Sequence, residues 1–260
     1  MFIREMSDLH IEFGHSLEGC VPHMPEDDQT VLVLAGDIGV GTMACAPIAH
    51  IAKRFKHVIY IMGNHEYYHE DITAVYNECK SFLADVRNVS VLENEDVEID
   101  GVQFIGATLW TDFDKTNAIT MSQARYMMSD YHVITDGWRR LTPETILEKH
   151  KVSRGYISSM LKRAQSDSKP AVVVTHHGPS FQCVSEHFRK DKLNGAYFSD
   201  LDALILDRGP FLWFFGHSHW TTQTQIGQTL VRNNPFGYYR REENPEFDPK
   251  LRFTVNMEDE

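Results

Sequence analysis

Five apolar runs of strand length, each delivering Asp, Asn or His just past its C-terminal end, constrain this chain more than any other feature. Phe2–Met6 leads into Ser7-Asp8-Leu9-His10, and Val31–Ala35 into Gly36-Asp37. His57–Met62 runs into Gly63-Asn64-His65-Glu66, and Ala171–Thr175 into His176-His177-Gly178-Pro179. The fifth, Phe211–Phe215, ends in Gly216-His217-Ser218-His219. Open α/β sheets place their sites beyond the carboxyl ends of their strands. One such loop is weak evidence; five in series are strong.

Between these runs lie segments of helical period, which predicts α/β architecture. Further strands are expected at Val102–Leu109, Thr222–Ile226, Thr229–Arg232 and Leu251–Val255. The clearest helix carries Ile72, Val75, Tyr76, Cys79, Phe82, Leu83 and Val86 at a period near 3.6. A second begins at Thr142-Pro143, an N-cap residue followed by proline in the first turn. It aims Ile146, Leu147, Ile157, Met160 and Leu161 at a core, with Gly155 as a potential break. The region from about 111 to 168 reads as a helical insertion within a single domain spanning 1–260. Its stretch Arg139–Arg163 holds seven Lys/Arg against Glu144 and Glu148. That stretch is either a solvated helix face or a cap leaning over a site that takes phosphate groups.

Composition excludes several classes. A formal charge of −12, from 37 acids against 25 bases, opposes a sequence-independent grip on duplex DNA. Fourteen histidines are many for 260 residues, and imidazoles with carboxylates are what a transition-metal site consumes. Cys20, Cys45, Cys79 and Cys183 form no Cys-x-x-Cys pair, which favours reduced thiols in a cytoplasmic protein. No run reaches the ~18 apolar residues of a membrane span, and the charged start Met1-Phe2-Ile3-Arg4-Glu5 is unlike a signal peptide.

Each motif is ambiguous alone. With 19 Asp and 14 His, about one Asp-x-His arises by chance. The chain holds a second, Asp130-Tyr131-His132, inside the insertion. Gly-Asp after a strand is usually a turn. His217-Ser218-His219 is more demanding, because two imidazoles one residue apart on an extended segment point the same way. The rival for that segment is the nucleophile elbow of an α/β-hydrolase, with Ser218 as nucleophile. That turn needs Gly-x-Ser-x-Gly and a following helix, whereas position 220 is Trp and Thr221–Ile226 alternates like a strand.

Asp8-x-His10, Gly36-Asp37, Gly63-Asn64-His65-Glu66, a histidine after a strand and Gly216-His217-x-His219, in that order, resemble the calcineurin-like metallophosphoesterase superfamily. The resemblance runs from Asp8 to His219. It implies a four-layer αββα sandwich of two mixed sheets with a dinuclear metal centre at the strand ends. By family roles, Asp8, His10, Asp37 and His219 would hold the first ion. Asp37 would bridge to a second, held also by Asn64, His176 and His217, with His177 as the alternative to His176. His65 would lie beside the substrate phosphate as the catalytic residue.

That donor set suits two divalent ions, Mn²⁺ first, with Fe, Zn²⁺ or Ni²⁺ as alternatives to the harder Ca²⁺ and Mg²⁺. A shared carboxylate can hold two cations about 3.5–4 Å apart, so that both polarise one phosphoryl group and share an attacking hydroxide. The protein Ser/Thr phosphatase branch follows Gly-Asp with an Asp-Arg-Gly segment; here Gly36-Asp37 continues as Ile38-Gly39-Val40-Gly41. The chain is closer to small bacterial and phage-type members, through Gly63–Tyr68, Thr108-Leu109-Trp110 and Asn234-Pro235-Phe236-Gly237-Tyr238. The expected reaction is hydrolysis of a small phosphodiester or phosphomonoester, with no membrane partner. The alternatives are a nuclease acting on single strands or ends, supported by the basic stretch, and a non-catalytic scaffold.

Overall fold

The computed structural model describes residues 1–255. Eleven strands build two sheets: β1 (Phe2–Met6), β2 (Thr30–Ala35), β3 (His57–Ile61), β4 (Val89–Leu92), β5 (Glu95–Ile99), β6 (Val102–Ala107), β7 (Ala171–Thr175), β8 (Leu212–Phe215), β9 (Gln223–Ile226), β10 (Thr229–Asn233) and β11 (Phe253–Thr254). The first sheet has the order β11-β1-β2-β3-β4 and is parallel except for β11. The second has the order β9-β10-β8-β7-β6-β5, with a parallel centre and antiparallel edges.

The period-2 alternation of strand side chains decides the layers. Along β2, Val31, Val33 and Ala35 face the second sheet, where they meet Phe104, Val172, Val174 and Phe214. Leu32 and Leu34 face the other way, into a core shared with α1 (Cys45–Ile51) and α2 (Ala74–Leu83). On the second sheet's outer face, Ile105, Val173, Trp213 and Phe215 pack against α3 (Pro143–Ser166) and α4 (Asp202–Arg208). Two sheets between two helical layers give the αββα sandwich expected from the resemblance.

Several expected boundaries shift. The Val102–Leu109 strand stops at Ala107, because Leu109 and Trp110 take left-handed backbone, φ 68° and 54°. Strands β4 and β5 carry too few fully buried positions to stand out in sequence, since β4 and β5 are sheet edges with one face partly exposed. Phe82 is 55% exposed and leaves the α2 stripe, whereas Val75, Cys79 and Leu83 are buried. Thr142 caps α3 by accepting from the Thr145 amide, and α3 continues unbroken through Gly155. All four cysteines are buried and free. Among the described residues, no helix is long and apolar enough to cross a membrane.

Candidate metal centre

The parallel centres of both sheets point their C-terminal ends to one edge of the sandwich, so the five motif loops converge there. Backbone hydrogen bonds join them: the Asp8 amide donates to Gly36 O at 3.0 Å, and the His10 amide to Asp37 O at 2.9 Å. The Gly216 amide donates to His176 O at 2.9 Å, tying the second sheet's two loops together. Asp8, His10, Asp37 and His217 all hold left-handed φ, between 47° and 66°. Such conformations are costly for residues with a Cβ and cluster where a site needs them. Gly63 is required for space, since a Cβ there would collide with the Asp37 carboxylate and amide.

Among the described residues, ligand atoms lie within 4.8 Å of one another inside each of three groups: Asp8, His10 and His219; Asp37, His176 and His217; and His10, Asp37 and His65. Asp37 joins the sets: its Oδ2 lies 3.8 Å from His10 Nε2 and its Oδ1 3.4 Å from His176 Nε2. Asn64 Oδ1 is 3.0 Å from that same His176 nitrogen. His219 Nε2 lies 3.2 Å from His10 Nε2 and 3.7 Å from Asp8 Oδ1. The sequence placed His217 and His219 on an extended segment and the resemblance assigned them to different ions. The chain turns between them, with the Ser218 amide donating to Gly216 O, and the two imidazoles enter different groups.

The donor chemistry fits two cations. His176 Nδ1 donates to Ala35 O at 3.0 Å, and His10 Nδ1 donates to Glu12 Oε1 at 3.0 Å. Each bond fixes the tautomer and leaves the Nε2 lone pair facing the cluster, as ligating histidines require. Among the described residues, His217 Nε2 is buried without any hydrogen-bond partner, an orphan that a cation would satisfy. His177, the alternative to His176, turns its Nδ1 to Thr108 O and packs its ring against Trp110 and His217.

Electrostatics follow from this crowding. Burial opposes ionisation of Asp37, but His176, His65 and His10 outweigh it and hold the carboxyl well below its usual range. Burial also opposes charge on His65 and His176, yet Asp37, with Glu12 for His65, pushes each up to about 9. His217 and His177 go the other way, well below the usual value, because burial dominates.

The structure gives roles to residues that motif reading left without one. Glu12 Oε1 accepts from His65 Nδ1 at 3.1 Å as well as from His10, so one carboxylate orients both rings. The only sequence signal for it was its position two residues after His10. Tyr68 stacks on His65 at 4.1 Å and donates to Asp130, the aspartate of the second Asp-x-His motif. Tyr238, from the Asn-Pro-Phe-Gly-Tyr segment, places its hydroxyl 3.4 Å from His65 Nε2. Glu66 accepts from the amides of Asp37, Ile38 and Gly63 and from the Tyr60 hydroxyl.

A cavity of about 370 Å³ opens onto Asp37, Asn64, His65, His217 and His219. From the insertion only Met127–Asp130 reach it; the wall opposite comes from the segment after His176, between Val184 and Phe198. The basic stretch does not lean over the site. Arg139, Arg140, Lys151, Arg154, Lys162 and Arg163 are exposed, and α3 packs on the outer face of the second sheet.

Residues 3–221 match the family model for calcineurin-like phosphoesterases. An uncharacterized protein, L509, of Acanthamoeba polyphaga mimivirus is 27% identical over 275 residues, covering 95% of this chain and 94% of its own. Among solved structures, the phosphopantetheinyl hydrolase PptH of Mycobacterium tuberculosis shares the fold with a TM-score of 0.68 at 18% identity, covering 94% of this chain and 93% of that one. A dimetal phosphatase from Danio rerio does so with a TM-score of 0.51 at 11% identity, covering 94% and 89%. The ordered motifs, the two-sheet sandwich and a match over most of its length make this chain a member of the calcineurin-like phosphoesterase family.

Proposed function

We propose that the chain hydrolyses a small phosphate ester at a dinuclear centre. Asp8, His10, Asp37 and His219 hold one divalent cation, and Asp37, Asn64, His176 and His217 the other, with Mn²⁺ as the first choice. The observation that carries this reading is that the Asp8–His10–His219 and Asp37–His176–His217 groups adjoin, with Asp37 Oδ2 3.8 Å from His10 Nε2. Bound cations would supply Lewis-acid polarisation of the phosphoryl oxygens and an acidified water.

The protein groups do the rest. His65 lies at the cavity wall with Glu12 Oε1 accepting from its Nδ1, a carboxylate partner that favours a proton on the ring. From there it hydrogen-bonds a phosphoryl oxygen, or passes the proton to the leaving oxygen as the P–O bond breaks. Glu12 and Tyr68 fix the ring in that orientation. A small ester takes precedence over nucleic acid, because the chain is acidic and its basic stretch lies away from the cavity.

Asp37→Ala tests the assignment, since one carboxylate serves both sets. Hydrolysis of nitrophenyl phosphate and bis-nitrophenyl phosphate is lost, and metal content measured by elemental analysis falls. A variant that retains full metal content overturns the ligand assignment.

A further inference from the structure

The cavity is larger than one phosphoryl group needs, and its outer part differs in chemistry from its floor. Beyond the His/Asp cluster it is walled by Trp220, Phe188, Tyr197, Met127 and Met128. His187 stacks on Trp220 with ring centroids 4.9 Å apart and planes 15° apart, and Phe188 meets Trp220 edge-on at 6.0 Å. Asn233 donates to the Trp220 carbonyl at 3.0 Å and to the Ser218 carbonyl at 3.1 Å, so the tryptophan is held in place with the metal-site loop. Tyr197 stacks on His217 at 4.3 Å, which joins the aromatic wall to the cluster. Among the described residues, no Lys or Arg lines this cavity. Lys190 and Lys192 flank the wall residue Asp191 but are exposed and outside the lining.

From this we infer that the outer cavity binds a planar ring carried by the substrate, and that the substrate bears a single phosphate. The inference rests on the phosphoesterase reading above. Aromatic walls favour flat rings, because stacking and edge contacts exceed what buried area alone supplies. A volume of about 370 Å³ lies near the lower end of ligand pockets, room for one ring system, a short linker and a phosphate. A second phosphate in the outer cavity would meet aromatic faces and the Asp191 and Glu242 carboxylates, with no Lys or Arg among the described lining residues to pair it. The same argument disfavours an oligonucleotide, whose successive phosphates need Lys and Arg.

Adenosine 5′-monophosphate and ribose 5-phosphate share one leaving oxygen and differ in the ring, so they isolate the wall's contribution. With the Mn²⁺-loaded protein, kcat/KM for the nucleotide should exceed that for the sugar phosphate by roughly tenfold, the size of one stacked base, carried by KM. Phe188→Ala and, on an exposed helix end, Met127→Ala should each move that ratio toward one. Calorimetric binding should follow the same order, with adenosine 5′-diphosphate no tighter than the monophosphate. Equal kcat/KM for the two esters overturns the ring subsite, and tighter diphosphate binding overturns the single phosphate, while either leaves the phosphoesterase reading intact. Selective binding of the nucleotide without hydrolysis of any ester supports the subsite and overturns the reading it rests on.

Discussion

At the scale of single residues, the site works through shared partners. Asp37 belongs to two ligand groups and also accepts from the His65 amide at 2.8 Å, so one side chain sets both the centre and the loop that carries His65. Glu12 does the same for two rings, and its own carboxyl is held down to about 2 because the His10 and His65 bonds outweigh its burial. Removing that charge lowers the His65 pKa, since a cationic imidazole loses an anionic neighbour. Glu12→Gln should therefore bring the alkaline limb of the kcat profile to lower pH, by about one unit on the usual scale of a single charge partner. Loss of rate with an unmoved profile would show that Glu12 only packs. The neighbouring peptide was legible as Asp8-x-His10, whereas Glu12 was not, because nothing in sequence says which imidazoles a carboxylate will face.

At the scale of elements, strand ends place the chemistry and one buried carboxylate ties them. Glu66 sits on the loop after β3 and accepts from three backbone amides on two loops, Asp37 N at 2.9 Å, Ile38 N and Gly63 N at 2.7 Å each. A carboxylate offers only acceptors, so an amide nitrogen cannot replace either oxygen. Glu66→Gln should cost about 2–3 kcal/mol, the size of a buried hydrogen bond to charge together with the donor it leaves unpaired. Denaturant unfolding measures that loss, and weaker metal binding should accompany it because the Asp37 loop is released; unchanged stability would show that the loops are held by other contacts. The strand cores were legible where both faces are buried, as in β2 and β7, whose residues are all buried. They were obscure at β5, an acidic edge with one fully buried position. Gly155 stood as a potential break, yet α3 passes through it, because burial of Ile157, Leu161 and Ala164 on the second sheet offsets a propensity cost of about 1 kcal/mol.

At the scale of the molecule, charge is distributed rather than focused. The net charge of −12 belongs mostly to the surface, and the one strongly basic stretch faces solvent on α3 and the hairpin that precedes it. Arg139 lies over the exposed Trp138 ring rather than over the cavity. Replacing the seven Lys/Arg between 139 and 163 by Gln should change hydrolysis of a small ester by no more than about twofold, the ordinary range for surface substitutions. The dependence of the rate on salt should also stay the same. A flattened salt slope would instead put these charges in the path of the substrate.

The order of five apolar runs and their terminal motifs determined, without coordinates, the α/β class, the edge of the sheets that carries chemistry and the residue types gathered there. Those features are local: a strand's hydrophobic run and the polar residue that follows it are adjacent in the chain. Tertiary structure alone decided that Glu12 orients His65, that Asp130 meets Tyr68 at the cavity, and that the basic helix does not. Each of these depends on contacts between segments tens to hundreds of residues apart, set by how two sheets pack face to face.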